Sequence, residues 1–369
     1  MPEDRKPPAQ IRQFDHREFD VPRLLGHKES TVVSVCLPAR NEGLTVGPIV
    51  STLRTELLLT GVVDEILVID DHSSDNTAAV ACEAGARVVS AADILPEYGG
   101  GFGKGEVLWK SLYVAEGDVI VWCDADISQF GSRFVSGILG PLLCESDVDL
   151  AKGFYRRPER DREGGGRVTE LVARPLLSLF CPELAELHQP LSGEYGGKRE
   201  VLEQLPFVQG YGVEVGLLID LAKQFGLSGL VQVDLDVRHH RNRSLAELGP
   251  QAMAIAQTIM RHVDWDLAPV ASELIRPGLP PVTVDVSERP PMVEVSSYLG
   301  RALQLATLHP YHRASTANRV ARIKGAGLWV GTYTVNDPAE ARRLRSWGVD
   351  GIITDDPARL IGAGDLSPG

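Results

Sequence analysis

Short apolar runs alternate with amphipathic stretches from residue 31 onward. "TVVSVCLPA", "VDEILVIDD", "ARVVSA" and "VIVWC" are dense in aliphatic residues and predict buried strands. "VGPIVSTLRTELLL", "NTAAVACEAG" and "GEVLWKSLYVAEG" lie between or beside them and predict helices. Strands and helices that alternate through short polar turns predict an α/β fold with a mostly parallel, doubly wound, Rossmann-like sheet.

Polar side chains follow three of the predicted strands, in "PARNE" at 38–42, "DDHSSDNT" at 70–77 and "DAD" at 124–126. Ligands of such sheets bind beyond the carboxyl ends of the strands, so we expect one crevice there. Asp124 and Asp126 repel each other unless a cation or a set of donors lies between them. Mg²⁺ and Mn²⁺ favour oxygen ligands and complete their shell with substrate phosphates, so the D-x-D predicts a metal site. The alternative is an ordinary solvated turn.

Three further segments carry candidate chemistry. The glycine-rich "YGGGFGKGE" at 98–106 matches neither the phosphate loop nor the dinucleotide fingerprint, and is either a loop that carries Lys104 toward phosphate or a plain mobile loop. "DREGGGRVTELVARPLLSLF" places three glycines before a helix near Arg167, which suits either an anion site or a hinge. "DLDVRHHRNRS" at 234–244 is either a basic surface loop or a lid in which His239 or His240 ligates the metal.

Composition excludes several classes of protein. The 369 residues carry a formal net charge of -13, with a pI near 5.2, which argues against broad nucleic-acid or membrane binding. Five scattered cysteines without a C-x-x-C pair favour a reducing cytoplasm. We find no apolar run of membrane-spanning length or signal core, and therefore predict a soluble cytoplasmic protein. The charged, proline-containing residues 1–30 predict a poorly ordered N-terminal extension with at most one short docking helix.

The motifs together resemble a known family. "LPARNE", "VIDDHSSDNT", "GKGEVLW" and "DAD" resemble a GT-A glycosyltransferase that uses a nucleotide sugar. "KGFYRRP", "GGGRVTELVARPLL", "QPLSGEYGGKRE", "PFVQGYGVEVGLLID" and "VRHHRNRSLAELG" resemble glucosyl-3-phosphoglycerate synthases and their mannosyl-transferring relatives. The resemblance runs from about residue 30 to "RPPM" at 289–292, so we expect a GT-A domain over 31–298. It implies metal-dependent, retaining transfer of glucose from UDP-glucose to 3-phosphoglycerate by a homodimer.

The resemblance also implies roles for individual residues. The donor-binding residues are Pro38, Ala39, Arg40, Glu42, Asp71, Lys104, Asp124, Ala125, Leu191 and Glu214. The acceptor-binding residues are Gly166, Arg167, Thr169 and Asn242, the ligands of Mg²⁺ or Mn²⁺ are Asp126 and His240, and the catalytic residues are Asp124, Glu214, Lys104 and Arg238. We favour front-face attack, in which Glu214 orients the sugar and forms no covalent adduct.

The sequence departs from the family pattern in the expected base pocket. Relatives often have a neutral residue at the position of Arg40, and "SGS" where this chain reads "DHS" at 71–73. Transfer of mannose from GDP-mannose is therefore the nearest alternative. Two other classes stay open, a phosphodiesterase with a vestigial transferase half and a non-catalytic nucleotide-sugar sensor.

Residues 299–369 change in pattern and resemble the C-terminal end of a glycerophosphodiester phosphodiesterase, a TIM-barrel enzyme. The strand "LWVGTYTV", the helix "DPAEARRLRSWG" and the strand "DGIITD" supply roughly two of the eight βα units that a barrel needs. The catalytic His-Arg-Gly and Glu-x-Asp of that family are absent from this segment. We predict a non-catalytic, partial TIM-barrel-like βα extension, either a remnant packed on the transferase or an oligomerisation surface.

Overall fold

The computed structural model describes residues 11–99, 103–159, 162–163, 166–239, 245–263, 273–276, 279–283, 287–294, 320, 331–332, 335, 337–352 and 354. The chain divides into two compact units, Met1–Met292 and Val293–Gly369. In the described ranges, we find no helix that is long and apolar enough to cross a bilayer.

The first unit is an α/β structure. Its strands are β1 (Arg12–Asp15), β2 (Val33–Ala39), β3 (Glu65–Asp70), β4 (Arg87–Ser90), β5 (Val119–Trp122), β6 (Leu150–Arg156), β7 (Pro158–Glu159), β8 (Arg162–Glu163), β9 (Tyr195–Lys198), β10 (Phe207–Val208), β11 (Leu230–Val237), β12 (Glu273–Arg276), β13 (Leu279–Thr283) and β14 (Glu288–Arg289). Its α-helices are α1 (Val21–Lys28), α2 (Val46–Leu53), α3 (Thr77–Ala84), α4 (Lys104–Val114), α5 (Arg133–Cys144), α6 (Arg174–Phe180), α7 (Arg199–Leu202), α8 (Val213–Phe225) and α9 (Leu245–His262).

Eight of the described strands form one sheet in the order β1-β11-β6-β9-β5-β2-β3-β4. Every pairing is parallel except those of β9, which runs antiparallel to both β5 and β6. The predicted mostly parallel, doubly wound sheet is therefore confirmed, and β2 to β5 and α2 to α4 form where the apolar pattern predicts them. The small pairs β7–β8, β10–β14 and β12–β13 lie outside this sheet.

The main core lies between the sheet and its helices. Central strands contribute fully buried aliphatic residues such as Val35, Leu37 and Val121, and α5 contributes Phe134 and Ile138. Strands that are buried on both faces read as continuous apolar runs, which is why the sequence identified them. Because the parallel strands point the same way, their carboxyl ends form a single edge of the sheet.

The prediction for the N-terminal residues needs a correction. We predicted a poorly ordered extension over residues 1–30 with at most one short docking helix, but Arg12–Asp15 pairs in parallel with Val231–Asp234 and forms the edge of the sheet. Helix α1 follows, and Phe19 and Leu24 are buried in the core, at 3% and 0% exposure. A four-residue edge strand held by backbone hydrogen bonds needs few apolar side chains, so its sequence "RQFD" gave no periodic signal.

The described part of the second unit contains β15 (Gly331–Thr332), α10 (Pro338–Ser346) and β16 (Gly351–Ile352). The two strands pair in parallel, and Val335, Ala341, Leu344 and Val349 form a small cluster around the helix. Asp337 caps α10 by accepting a hydrogen bond from the Ala339 N–H, and Pro338 occupies the first turn. This strand, helix and strand agree with the predicted βα pattern of the tail.

Candidate active site

A cavity of about 660 Å³ opens at the carboxyl ends of the parallel strands. Most of the described residues predicted from the sequence line it, namely Pro38, Ala39, Arg40, Glu42, Asp71, Lys104, Asp124, Ala125, Asp126, Gly166, Arg167, Thr169, Leu191, Glu214 and Arg238. His239, which was a candidate metal ligand, is not among the lining residues. The structure thus brings together segments that are far apart in the sequence, while their individual roles stay predictions. His240 and Asn242 lie outside the described residues.

Lys104 is the first residue of α4 and reaches two carboxylates. Its Nζ lies 2.6 Å from Oδ1 of Asp124 and 2.9 Å from Oε1 of Glu214. Burial alone would lower the pKa of Lys104, but the two carboxylates outweigh it and raise that pKa well above its usual value. Lys104 is therefore a fixed positive charge, and both carboxylates beside it are neutralised in pairs.

The D-x-D motif is held by a guanidinium group in this structure. Nη2 of Arg238, which follows β11, lies 3.0 Å from Oδ2 of Asp124 and 2.7 Å from Oδ1 of Asp126. Burial would raise the pKa of Asp124, but Lys104 and Arg238 together hold it far below its usual range. The room for Asp124 depends on Gly193, because a Cβ there would lie 2.1 Å from Oδ2 of the carboxylate.

Beneath Arg238 lies a second polar layer that is fully buried. Nη1 of Arg238 is 3.3 Å from Oε1 of Glu194 and donates to the Tyr155 hydroxyl at 2.6 Å. Burial raises the pKa of Glu194 despite the neighbouring guanidinium, and burial also raises the pKa of Tyr155 to about 12. Tyr155 is consequently a neutral hydrogen-bonding group over the whole physiological range.

The centre of the cavity contains more carboxylates than cations. The carboxylates are Asp124, Asp126 and Glu214, and the cations are Lys104 and Arg238. Among the described residues no three potential ligands gather around one point, and His240, the other predicted ligand, lies outside them. Asp126, whose side chain is 39% exposed, offers the hard oxygen that Mg²⁺ and Mn²⁺ prefer, and the excess negative charge favours a cation. The residues present therefore fit the predicted metal.

The end of the cavity that is predicted to bind the nucleotide contains Arg40 and Asp71, which were expected to differ from the family pattern. Asp71 accepts a hydrogen bond from the Gly103 N–H at 3.1 Å, and its carboxylate lies 3.9 Å from Nη1 of Arg40 and 3.1 Å from Nδ1 of His72. His72 has φ 58°, in the left-handed region that glycine adopts without strain. The side chain of His72 adds a polar group beside Asp71.

The opposite end of the cavity is cationic. Gly166, with φ 69°, turns the chain into a helical segment that begins at Arg167, continues as a π-helix over Thr169–Ala173 and ends with α6. Arg157, which follows β6, lines the same end. A helix start with two arginines in this position suits an anionic ligand.

Sequence reasoning missed the second layer. Tyr155, Arg157 and Glu194 lie within "KGFYRRP" and "QPLSGEYGGKRE", which were recognised as family stretches without a role for these residues. One signal was available, because residues 155 and 157 stand two positions apart at the end of a strand and so share a face.

Comparisons with known proteins agree with the resemblance found in the sequence. The family model for Glycosyl transferase family 2 matches residues 34–130, and that of the Glycerophosphoryl diester phosphodiesterase family matches residues 199–359. The chain is 42% identical over 308 residues to the glucosyl-3-phosphoglycerate synthase of Petrotoga mobilis, which covers 78% of this chain and 95% of that protein.

Solved structures agree with these relatives. Crystal structures of glucosyl-3-phosphoglycerate synthase from Mycobacterium tuberculosis with Mn²⁺ and UDP-glucose, and with either phosphoglyceric acid or glycerol 3-phosphate, are 42% and 41% identical, at a TM-score of 0.70. They match 76% and 77% of this chain and 98% and 99% of theirs. Mannosyl-3-phosphoglycerate synthase from Rubrobacter xylanophilus is 37% identical at a TM-score of 0.72, over 77% of this chain and 97% of that one.

These matches confirm the predicted GT-A fold and show that the protein is a glycosyltransferase. The chain belongs to the glucosyl-3-phosphoglycerate synthase family.

Proposed function

We propose that the protein transfers glucose from UDP-glucose to the hydroxyl of 3-phosphoglycerate, with retention of the anomeric configuration and with a bound divalent metal. The observation that carries this proposal is the row of paired charges from Asp126 through Arg238, Asp124 and Lys104 to Glu214, in one cavity with a cationic helix start. A nucleoside diphosphate suits the row of charges, and an acceptor with two anionic groups suits the cationic end.

Departure of UDP is the step that this chain's charges favour. Lys104 and Arg238 are held cationic at the same carboxylate, so they stabilise charge that develops on the leaving oxygens without reorganisation. Asp126, with His240 outside the described residues, would hold the metal, which when bound neutralises part of the diphosphate charge. The donor phosphates would supply further oxygen ligands to that metal.

Front-face attack is the retaining mechanism that the electrostatics favour. Both carboxylates closest to Lys104 are ion-paired, and the pKa of Asp124 is strongly lowered by its two cationic neighbours, which makes it a weak nucleophile. Glu214, 2.9 Å from Lys104, is better suited to accept hydrogen bonds from sugar hydroxyls. The acceptor proton then passes to the departing phosphate. Trapping a glycosyl adduct on Glu214 would contradict this mechanism.

GDP-mannose is the second candidate donor. Asp71, Arg40 and His72 make the base end more polar than the family pattern predicts, and the likeness to the Rubrobacter xylanophilus mannosyltransferase supports considering it. A carboxylate can accept two hydrogen bonds side by side, which guanine can donate and uracil cannot.

A donor and acceptor screen of the full-length protein tests the proposal. We expect UDP-glucose with 3-phosphoglycerate to give the highest kcat/KM, an α-linked product by NMR, and a loss of turnover in excess chelator that Mn²⁺ or Mg²⁺ restores. Asp126→Asn should lower kcat/KM by about 100-fold or more, whereas Asp147→Asn, an exposed carboxylate paired with Arg12, should leave it unchanged. A large preference for GDP-mannose would refute the proposed donor. Full activity in excess chelator would refute the proposed metal dependence.

The proposal extends to location and assembly. The scattered cysteines favour a reducing cytoplasm, and the family resemblance favours a homodimer. Size-exclusion chromatography with light scattering will determine the oligomeric state. A monomer at the concentration used for assays would contradict the proposed homodimer.

A further inference from the structure

Arg157 is an unassigned cation in the cavity wall. Its guanidinium lies over the ring of Tyr155, with Cζ 4.8 Å from the ring centroid, and its Nη2 donates to the Tyr155 hydroxyl at 3.0 Å. The same group borders the start of the helical segment, since a Cβ at Gly166 would lie 3.9 Å from Nη1 of Arg157. These contacts fix the position of the guanidinium between the helix start and the centre of the cavity.

In the part of the chain that the structure describes, no carboxylate balances the charge of Arg157. Among the described residues, no carboxylate forms an ion pair with it, and its buried Nε has no hydrogen-bond partner. Lys104 and Arg238 in the same cavity are both paired with carboxylates. A guanidinium that is partly withdrawn from water without a counterion is costly, and an unsatisfied buried donor calls for an explanation. An anionic ligand bound in the cavity supplies one.

We propose that Arg157 binds the carboxylate of the acceptor and so selects a phosphorylated hydroxy acid over a phosphorylated polyol. The proposal rests on the proposed function, which supplies an acceptor with two anionic groups. The helix start at 166–169 suits the phosphate, and Arg157 beside it supplies a planar fork of donors that matches a carboxylate. In 3-phosphoglycerate the carboxylate is attached to the same carbon as the attacking hydroxyl, so binding it fixes the nucleophile.

The connection to the donor site runs through Tyr155. The Tyr155 hydroxyl accepts from both Arg157 and Arg238, and Arg238 in turn holds Asp124 and Asp126. The buried Tyr155 side chain therefore fixes the positions of both the guanidinium that binds the acceptor carboxylate and the guanidinium that holds the D-x-D motif. Such a connection holds two substrates at a constant separation, which is the geometric condition for transfer between them.

Calorimetric titration of the full-length protein, saturated with UDP and Mn²⁺, tests the proposal with two acceptor ligands. 3-Phosphoglycerate carries the carboxylate, and glycerol 3-phosphate lacks it. We expect Arg157→Gln to weaken 3-phosphoglycerate binding by at least tenfold and glycerol 3-phosphate binding by less than twofold. Arg157→Lys, which keeps the charge and loses the fork, should give an intermediate loss. The matched control is Arg156→Gln, since Arg156 is 67% exposed and paired with Asp236 outside the cavity; it should change neither affinity.

Each other outcome counts against the proposal. An equal loss for both ligands would mean that Arg157 binds the phosphate or supports the fold, and unchanged binding would mean that it binds neither group. If wild-type protein binds no 3-phosphoglycerate while it binds UDP, the proposed function fails together with this inference. If wild type binds and transfers to 3-phosphoglycerate but the ligand ratio is unaltered, only the role of Arg157 fails.

Discussion

Lys152 is a buried amine behind the active site. It belongs to β6, is 2% exposed, donates from Nζ to the Ser192 carbonyl at 2.7 Å and lies 3.9 Å from the centroid of the Tyr195 ring. Burial lowers its pKa to about 7, because the nearby carboxylates of Glu214 and Glu194 only partly offset the loss of water. The residue holds the segment that carries Leu191 and Gly193 into the cavity, so its charge state belongs to the energetics of the site.

The stability of the protein should depend on pH through Lys152. Its pKa is near 7 when folded and about 10.4 when unfolded, so between these values the unfolded chain binds more protons, and stability rises with pH. The free energy of unfolding of wild type relative to Lys152→Met should increase by about 1 kcal/mol per pH unit between pH 7.5 and 9.5. Urea denaturation of both proteins across that range measures it. A difference that stays constant with pH would contradict the prediction.

At the scale of elements, the start of α4 sets the position of the central lysine. Helix α4 begins at Lys104 without a side-chain cap, and Gly103 before it has φ 98°. Gly105 packs directly on β10, because a Cβ there would lie 1.8 Å from the Val208 carbonyl oxygen. Gly103 is therefore explained by the backbone turn and Gly105 by the close approach of α4 to β10. Together they set the direction in which the Lys104 side chain points.

Gly105→Ala should separate α4 from β10. The clash involves backbone, which cannot rotate away, so we expect a loss of about 1–3 kcal/mol in stability and at least a tenfold loss in kcat/KM as Lys104 shifts from Asp124. Gly26→Ala is the matched control, since a Cβ at Gly26 meets nothing within 4 Å in helix α1. That change should stabilise the protein by about 0.5–1 kcal/mol and leave transfer unchanged. Equal activity in both variants would contradict the role given to Gly105.

The sequence predicted elements with strong periodicity and missed those held by backbone. Strands β2, β3 and β5 were predictable because both faces are buried, and the three polar strand ends were predictable because parallel strands share an edge. Strand β9 was not, since Gly196 and Gly197 face the carbonyl oxygens of Ile120 and Asp149 and carry no apolar signal. The layer under the D-x-D, with Tyr155 and Glu194, was equally hidden, because a buried ion pair is defined by contacts between distant segments.

In the molecule as a whole, the segment that matches the phosphodiesterase family does not coincide with either structural unit. The family match covers residues 199–359, yet residues up to Met292 belong to the first unit, where β11 pairs with β1 and β6 in the transferase sheet. Every described residue that lines the cavity also lies in that unit. A shared sequence pattern of strand and helix therefore does not imply a barrel here, and we propose that 299–369 is non-catalytic.

The last residues of the first unit contact α4. Arg289 in β14 places Nε 2.8 Å from Oε2 of Glu106, which is fully buried, and the Trp109 indole N–H donates to the Pro290 carbonyl at 3.0 Å. Lys110, which is also fully buried, lies 3.2 Å from the other oxygen of Glu106, so Arg289 is one of two cations that balance this carboxylate. The segment 287–292 is thus part of the transferase, even though it lies next to the tail in sequence.

Two truncations should give opposite results. A chain ended after Glu294 keeps β14 and both contacts to α4, so its kcat/KM should stay within about twofold of the full-length value. A chain ended after residue 286 loses the hydrogen bond from Arg289 to Glu106 and the one from Trp109 to Pro290, and should lose about 1.5–3 kcal/mol of stability together with part of its activity. Denaturation and initial rates measured on both proteins check this. Loss of transfer in the longer truncation product would show that the tail takes part in the reaction, because that product retains every cavity residue and every contact made by β14.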